Sequence, residues 1–173
     1  MSIKTKNKIS LTLLALLDDN SYDELTISEI AAHSEIARKT FYNNFSTKED
    51  VIRYIVEKLI DAYVSQIEKV GTKYTNIISL EYFRFAQNNK SIFKKLVNNN
   101  LFHYYMDKFD QLLHSLYYLT KSNEILDIDE SKLDFVFTFN SYGVNQMICT
   151  WIKKGCIETI YDLDEIYHKI TVF

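Results

Sequence analysis

The stretch Leu25-Thr26-Ile27-Ser28-Glu29-Ile30-Ala31-Ala32-His33-Ser34-Glu35-Ile36-Ala37-Arg38-Lys39-Thr40-Phe41-Tyr42-Asn43-Asn44-Phe45-Ser46-Thr47-Lys48-Glu49 decides the fold. Thr26 and Glu29 stand three apart at the head of an apolar pattern, the spacing of a capping box. In that arrangement the Thr hydroxyl accepts from the Glu amide while the Glu carboxylate accepts in return. Leu25 before the cap and Ile30 after it are placed for a hydrophobic staple. A short helix is therefore predicted from Ile27 to about His33. Ser34-Glu35-Ile36-Ala37 breaks it, and a second short helix runs from Arg38 to about Asn44. Phe41 and Phe45 recur four apart, so they share one face and anchor that helix on a core. Ser46-Thr47-Lys48-Glu49 reads as a second capping box, opening a much longer helix.

Working outward, Ile9, Leu13, Leu16 and Leu17 fall at helical spacing, which predicts a first amphipathic helix from Lys4 to about Leu17. Asp18-Asp19-Asn20-Ser21 ends it. Downstream, Val51, Ile52, Ile55, Leu59, Ile60 and Tyr63 carry one apolar side of the long helix to about Val70, where Gly71 stops it. Further helices are expected at roughly 75–87, 90–98, 101–121, 131–154 and 162–171. Asn88-Asn89, Asn98-Asn99-Asn100, Ser122-Asn123 and Gly155 mark their breaks. The expected fold is all-α with about nine helices: a three-helix head over 1–48 and a helical regulatory and dimerisation body over 49–173.

Composition agrees. Three Gly and no Pro among 173 residues leave little turn chemistry for a β-sandwich or barrel. With 47% apolar and 14% aromatic residues, the chain can bury a substantial core. No apolar run reaches the ~20 residues of a membrane span, and nothing resembles a signal peptide, so a cytoplasmic protein with no membrane partner is expected. Cys149 and Cys156 form no disulfide framework or metal pattern; they read as buried thiols, or alternatively as redox sensors. There is no glycine-rich phosphate loop, nucleophile elbow or metal triad, and the four histidines are scattered, so neither an enzyme nor a cofactor is expected.

Two short helices joined by a tight turn and packed on a preceding helix make a helix-turn-helix, whose second short helix enters the major groove of DNA. Arg38 and Lys39 suit guanine acceptors or phosphate, the hydroxyls of Thr40 and Tyr42 suit phosphate, and Asn43 suits adenine or the backbone. Charge speaks the other way. Residues 1–50 hold six bases (Lys4, Lys6, Lys8, Arg38, Lys39, Lys48) and eight acids, within a chain of net charge −3. A grip on DNA would depend on where the charges sit rather than on their sum. Lys4, Lys6 and Lys8 either reach phosphate or form a solvated helix start.

The stretch from Leu25 to Glu49 resembles the head of the TetR family of transcriptional regulators. Thr26, Ile30, Ala31, Thr40, Tyr42, Phe45, Lys48 and Glu49 occupy that family's motif positions. The resemblance implies that Thr26, Tyr42 and Lys48 hold phosphates while Arg38, Lys39 and Asn43 face the groove. Two residues depart from the pattern. Glu35 stands where the family usually has a turn glycine, and Ala37 where it often has a Ser or Thr N-cap.

Phe85 to Phe109, FAQNNKSIFKKLVNNNLFHYYMDKF, resembles the C-terminal regions of short TetR-type regulators from Gram-positive bacteria, some of which regulate dihydroxyacetone kinase operons. The resemblance implies a homodimer on a palindromic double-stranded DNA operator, released or modulated by a small-molecule inducer, and most often repression. Phe83, Phe102, His103, Phe109 and Tyr117 are candidate pocket residues, with aromatic core as the competing reading. The resemblance also implies a dimer surface on the last two helices, with Phe139, Gly143, Met147 and Trp151 as candidates; the run Phe135 to Trp151 is apolar around most of its circumference, which suits such a surface or else a buried core helix. An alternative function is a protein-interaction co-regulator acting through a partner regulator.

Overall fold

The computed structural model describes residues 2–70, 78–120 and 132–171, and everything regular among them is helical. The head consists of α1 (Ile3–Leu16), α2 (Ile27–His33) and α3 (Arg38–Tyr42), and α4 (Lys48–Val70) leads out of it. The body adds α5 (Ile78–Asn88), α6 (Lys90–Asn98), α7 (Phe102–Thr120), α8 (Leu133–Lys153) and α9 (Ile160–Thr171). The expected helices are all present, with ends that coincide or shift by at most about three residues. Gly71 lies outside the described residues; α4 ends at Val70.

Local chemistry explains the ends. The capping box of α2 forms as expected: Thr26 Oγ1 accepts from the Glu29 amide at 3.2 Å, and the Glu29 carboxylate accepts from the Thr26 amide at 2.8 Å. The box at the start of α4 lies one residue later than expected. Thr47 Oγ1 accepts from the Asp50 amide at 3.2 Å, and the Asp50 carboxylate accepts from the Ser46 and Thr47 amides, each at 3.0 Å. A third box, Thr159 with Asp162, opens α9.

Three helices end in the same way. After α2, α6 and α8 the chain turns left-handed, at Glu35 (φ 51°), at Asn100 (φ 58°) and at Gly155 (φ 87°), the last followed by Cys156 in the same region (φ 59°). In each case the next amide reaches back across the turn: Ile36 to Ala31 O, Leu101 to Leu96 O, and Cys156 to Trp151 O. This is the Schellman closure, which satisfies carbonyls that the helix leaves open. Glycine occupies that position at one end only; asparagine tolerates it and glutamate does so under strain.

One continuous cluster of buried apolar residues runs from Ile9 in α1 to Leu163 in α9. Leu25 and Ile30 are both buried, as a staple requires, and Phe41 and Phe45 lie inside the head against Val51, Ile52 and Ile55 of α4. The 23 residues of α4 span about 34 Å, and its lower half continues into the body through Leu59, Ile60, Tyr63 and Ile67. There α4 packs on α7, α7 on α8, α6 on α8 and α5 on α9.

The middle of the body is aromatic. Phe83, Phe102 and Phe109, expected as pocket lining, are at most 4% exposed and are stacked among other rings. Phe109 lies 4.6 Å from Tyr82 and 5.7 Å from Tyr63, and Phe93 meets Tyr105 at 4.8 Å. These side chains pack on one another in the interior of the body. His103 is exposed, its Nδ1 3.0 Å from Asn100 O. The side chain of Tyr117 lies outside the described residues. Cys149 is buried, which pushes its thiol pKa up and disfavours the reactive thiolate; Cys156 is half-buried. No helix among the described residues is long and apolar enough to cross a membrane.

Candidate nucleic-acid interface

The head presents α3 with one face sunk and the other open. Phe41 is fully buried; its ring lies 6.1 Å from Phe45, which in turn meets Tyr54 of α4 at 5.7 Å. Opposite that anchor, Arg38, Lys39, Tyr42 and Asn43 are exposed and Thr40 is half-buried. A five-residue helix has little stability of its own, so these two rings hold it in place. Arg38 lies over the Tyr42 ring at 5.9 Å, one turn away, so a cation and a phenol stand side by side on the open face. Ala37 provides no side-chain cap, but its carbonyl accepts from the Thr40 and Phe41 amides at 2.8 and 3.1 Å.

The other residues expected at DNA have work inside the head. Lys48 is the clearest case. Its Nζ donates to the carbonyls of Tyr22 (2.7 Å), Leu25 (3.1 Å) and Asp23 (3.3 Å) and sits 4.3 Å over the Tyr22 ring. An ammonium has three donors, and here three carbonyls take them. Lys48 thus pins the loop between α1 and α2 to the start of α4. Thr26 likewise donates its hydroxyl hydrogen to Glu29 at 2.7 Å while capping α2.

The basic residues of α1 divide in the same manner. Lys6 lies over the rings of Phe45 (5.1 Å) and Tyr54 (5.4 Å), and Lys8 pairs with Glu35 at 2.8 Å. That pair holds the Glu35 carboxyl below its ordinary pKa, first through the Lys8 hydrogen bond and then through its charge. It also offsets the negative charge that Glu35 brings to the turn. Glu29 is held below the usual range too, by the Thr26 amide and hydroxyl, and Asp50 caps α4. Four of the eight acids in residues 1–50 are therefore engaged, Glu29 and Asp50 at helix starts, Glu35 with Lys8 and Asp18 with Lys95, and the open face of α3 carries Arg38 and Lys39 with no acid among its residues.

The four interface candidates fall together. Gly143, Met147 and Trp151 line one shallow groove of about 360 Å³ between α8 and α9, with Gln146, Leu163 and Ile166. Phe139 lies one turn away, 65% exposed. Trp151 is itself buried and donates Nε1–H to Glu158 O at 2.9 Å, so it forms the floor of the groove. Among the described residues, seven of the ten exposed large apolar side chains lie between 135 and 170: Phe135, Phe139, Tyr142, Ile157, Tyr161, Ile166 and Ile170.

Comparison with known proteins places this architecture. Residues 12–55 match the model of bacterial regulatory proteins of the tetR family, and residues 73–172 match that of a transcriptional regulator C-terminal region. The chain belongs to the TetR family of transcriptional regulators. It is 20% identical over 171 residues, covering 98% of this chain and 88% of the other, to the HTH-type dhaKLM operon transcriptional activator DhaS of Lactococcus lactis. It is 24% identical over 131 residues, 71% of each chain, to an HTH-type transcriptional regulator of Staphylococcus aureus. Among solved structures, a TetR transcriptional regulator from Streptococcus agalactiae aligns with TM-score 0.70 at 20% identity, covering 96% of this chain and 93% of that one. FadR from Bacillus subtilis in complex with stearoyl-CoA aligns with TM-score 0.64 at 17% identity, covering 95% and 96%. These likenesses share the all-helical fold with its N-terminal helix-turn-helix.

Proposed function

We propose that the chain works as a homodimer that lays two copies of α3 in successive major grooves of a palindromic operator, about 34–36 Å apart. The observation that carries this reading is the open row of Arg38, Lys39, Tyr42 and Asn43 on a helix anchored by Phe41 and Phe45. Arg38, Lys39 and Asn43 read or approach bases, while the hydroxyls of Thr40 and Tyr42 hold phosphate. Lys48 and Thr26 serve DNA indirectly, by fixing the loop and helix that carry the interface. The exposed apolar surface of α8 and α9 supports dimerisation through Phe139, Gly143 and Met147 around the Trp151 floor.

In this reading the protein represses the genes behind its operator until a small molecule bound in the body changes the position of the heads. The stearoyl-CoA complex of a structural neighbour supports a ligand-accepting body in this fold. Since Phe83, Phe102 and Phe109 are packed together, an effector must part these rings, and it acts only if it binds the parted form more tightly. The Lactococcus relative is named an activator, so the sign needs its own measurement. Footprinting the purified chain on its own upstream DNA should show two protected half-sites about one helical turn apart. Deleting the gene should raise expression from that promoter; a fall would assign activation instead, and the absence of any footprint would overturn the reading.

A further inference from the structure

A second connection joins body to head, separate from the covalent path through α4. Lys95 of α6 has a side chain only 14% exposed, and its Nζ donates to Leu14 O and to the Asp18 carboxylate, both at 2.7 Å. Leu14 lies in the last turn of α1, which has no basic residue of its own. A cation there satisfies an open carbonyl and complements the negative end of the helix. One turn further on, Asn99 Oδ1 accepts from the Tyr22 amide at 2.9 Å, while Asn99 Nδ2 donates to Lys95 O at 2.9 Å, which fixes its orientation. Tyr22 O in turn accepts from Lys48 at the start of α4. The loop from Leu17 to Leu25 is thus held on one side by α6 and on the other by α4.

We infer that Lys95 and Asn99 are positioning residues that lock the angle of the head against the body, and thereby restrict which operator spacing the dimer accepts. The inference rests on the DNA-binding reading above. A head carried by one helix alone could swing or rotate about it; a second attachment through α6 removes that freedom. Adding one base pair between half-sites moves the second one by about 3.4 Å and turns it by roughly a tenth of a helical turn. A tied head cannot follow that change without breaking charge-assisted bonds, among the stronger polar contacts in proteins. A loosened head can.

The test uses the full chain and the footprinted operator, with derivatives carrying one base pair more or less between the half-sites. Lys95→Met keeps the apolar stem and removes the donors, Asn99→Ala removes the acceptor, and Lys95→Arg restores a charged donor. In Lys95→Met the preference for the native spacing over the altered ones should fall about tenfold, equivalent to about 1.4 kcal/mol. Asn99→Ala should shift it in the same direction and Lys95→Arg should keep the preference. Hydrogen exchange should quicken over residues 17–25 in both loosened variants and stay unchanged over residues 52–60. Affinities that drop in parallel for all spacings, or an unchanged spacing profile, would overturn the inference. If Lys95→Met fails to fold, Asn99→Ala carries both readouts. A wild-type chain that binds no spacing at all would instead sink the regulatory reading on which the inference stands, a separate and recognisable outcome.

Discussion

At the scale of single residues, Tyr42 and Lys48 separate grip from scaffold. Tyr42 is exposed and meets only Arg38 and the Phe41 ring edge of its own helix among the contacts of its side chain, whereas Lys48 holds three carbonyls of a loop. Tyr42→Ala should weaken operator binding and leave the melting temperature where it was. Lys48→Ala should lower both, since removing a charged donor from part-buried carbonyls costs about 1–3 kcal/mol. Thermal melts beside binding titrations decide the matter, and equal melting temperatures for the two variants would contradict the assignment. Family resemblance placed Lys48 at phosphate because motif position alone does not show where a side chain points. Glu29 offers a test by pH. Its folded pKa lies below its unfolded value, so its contribution is complete above about pH 4.3 and is lost as pH falls through the folded value. The difference in melting temperature between wild type and Glu29→Gln should therefore close as the pH falls through the lowered folded value of Glu29.

At the scale of elements, what was legible in the sequence was what is local. The Thr26–Glu29 box, the Phe41–Phe45 spacing and the breaks at Asn98–Asn100 and Gly155 each lie within a few residues of one another, and each forms. The box at α4 slipped by one residue because Ser46 and Thr47 can both cap, as Glu49 and Asp50 can both answer. The aromatic stripe was ambiguous for a different reason: helical spacing puts Phe83, Phe102 and Phe109 on inward faces without saying whether the interior is filled. The weakest element is α3, five residues long with no side-chain cap at Ala37. Ala37 is exposed with an extended backbone (φ −70°, ψ 147°), which is N-cap geometry. Ala37→Ser should therefore stabilise the chain by about 1 kcal/mol, roughly 2–4 °C in melting temperature for a domain of this size. A differential scan in which the variant melts no later than wild type would contradict that reading of the helix start.

At the scale of the whole molecule, the contacts that matter most span the chain and left no local trace. Lys95 meets Leu14 and Asp18 across about eighty residues, and in sequence it is one lysine among several on an amphipathic helix. The α8–α9 surface was legible as an apolar helix, yet only the fold shows that Trp151 turns inward while Phe139 stays open. If that surface joins two copies, Phe139→Glu should shift the chain toward monomer in sedimentation velocity and weaken operator binding with it, because each monomer then holds a single half-site. A dimer that persists unchanged in this variant would place the interface elsewhere.

The central claim is that the open face of α3 grips DNA although the chain carries a net charge of −3. The most direct measurement is the affinity of the full chain for its footprinted operator across a range of salt concentrations, for wild type and for Arg38→Ala. Log affinity should fall steeply and linearly with log salt, about −0.9 per phosphate neutralised, with a weaker, shallower line for Arg38→Ala. Binding that ignores salt, or an Arg38→Ala line that overlays wild type, would contradict it.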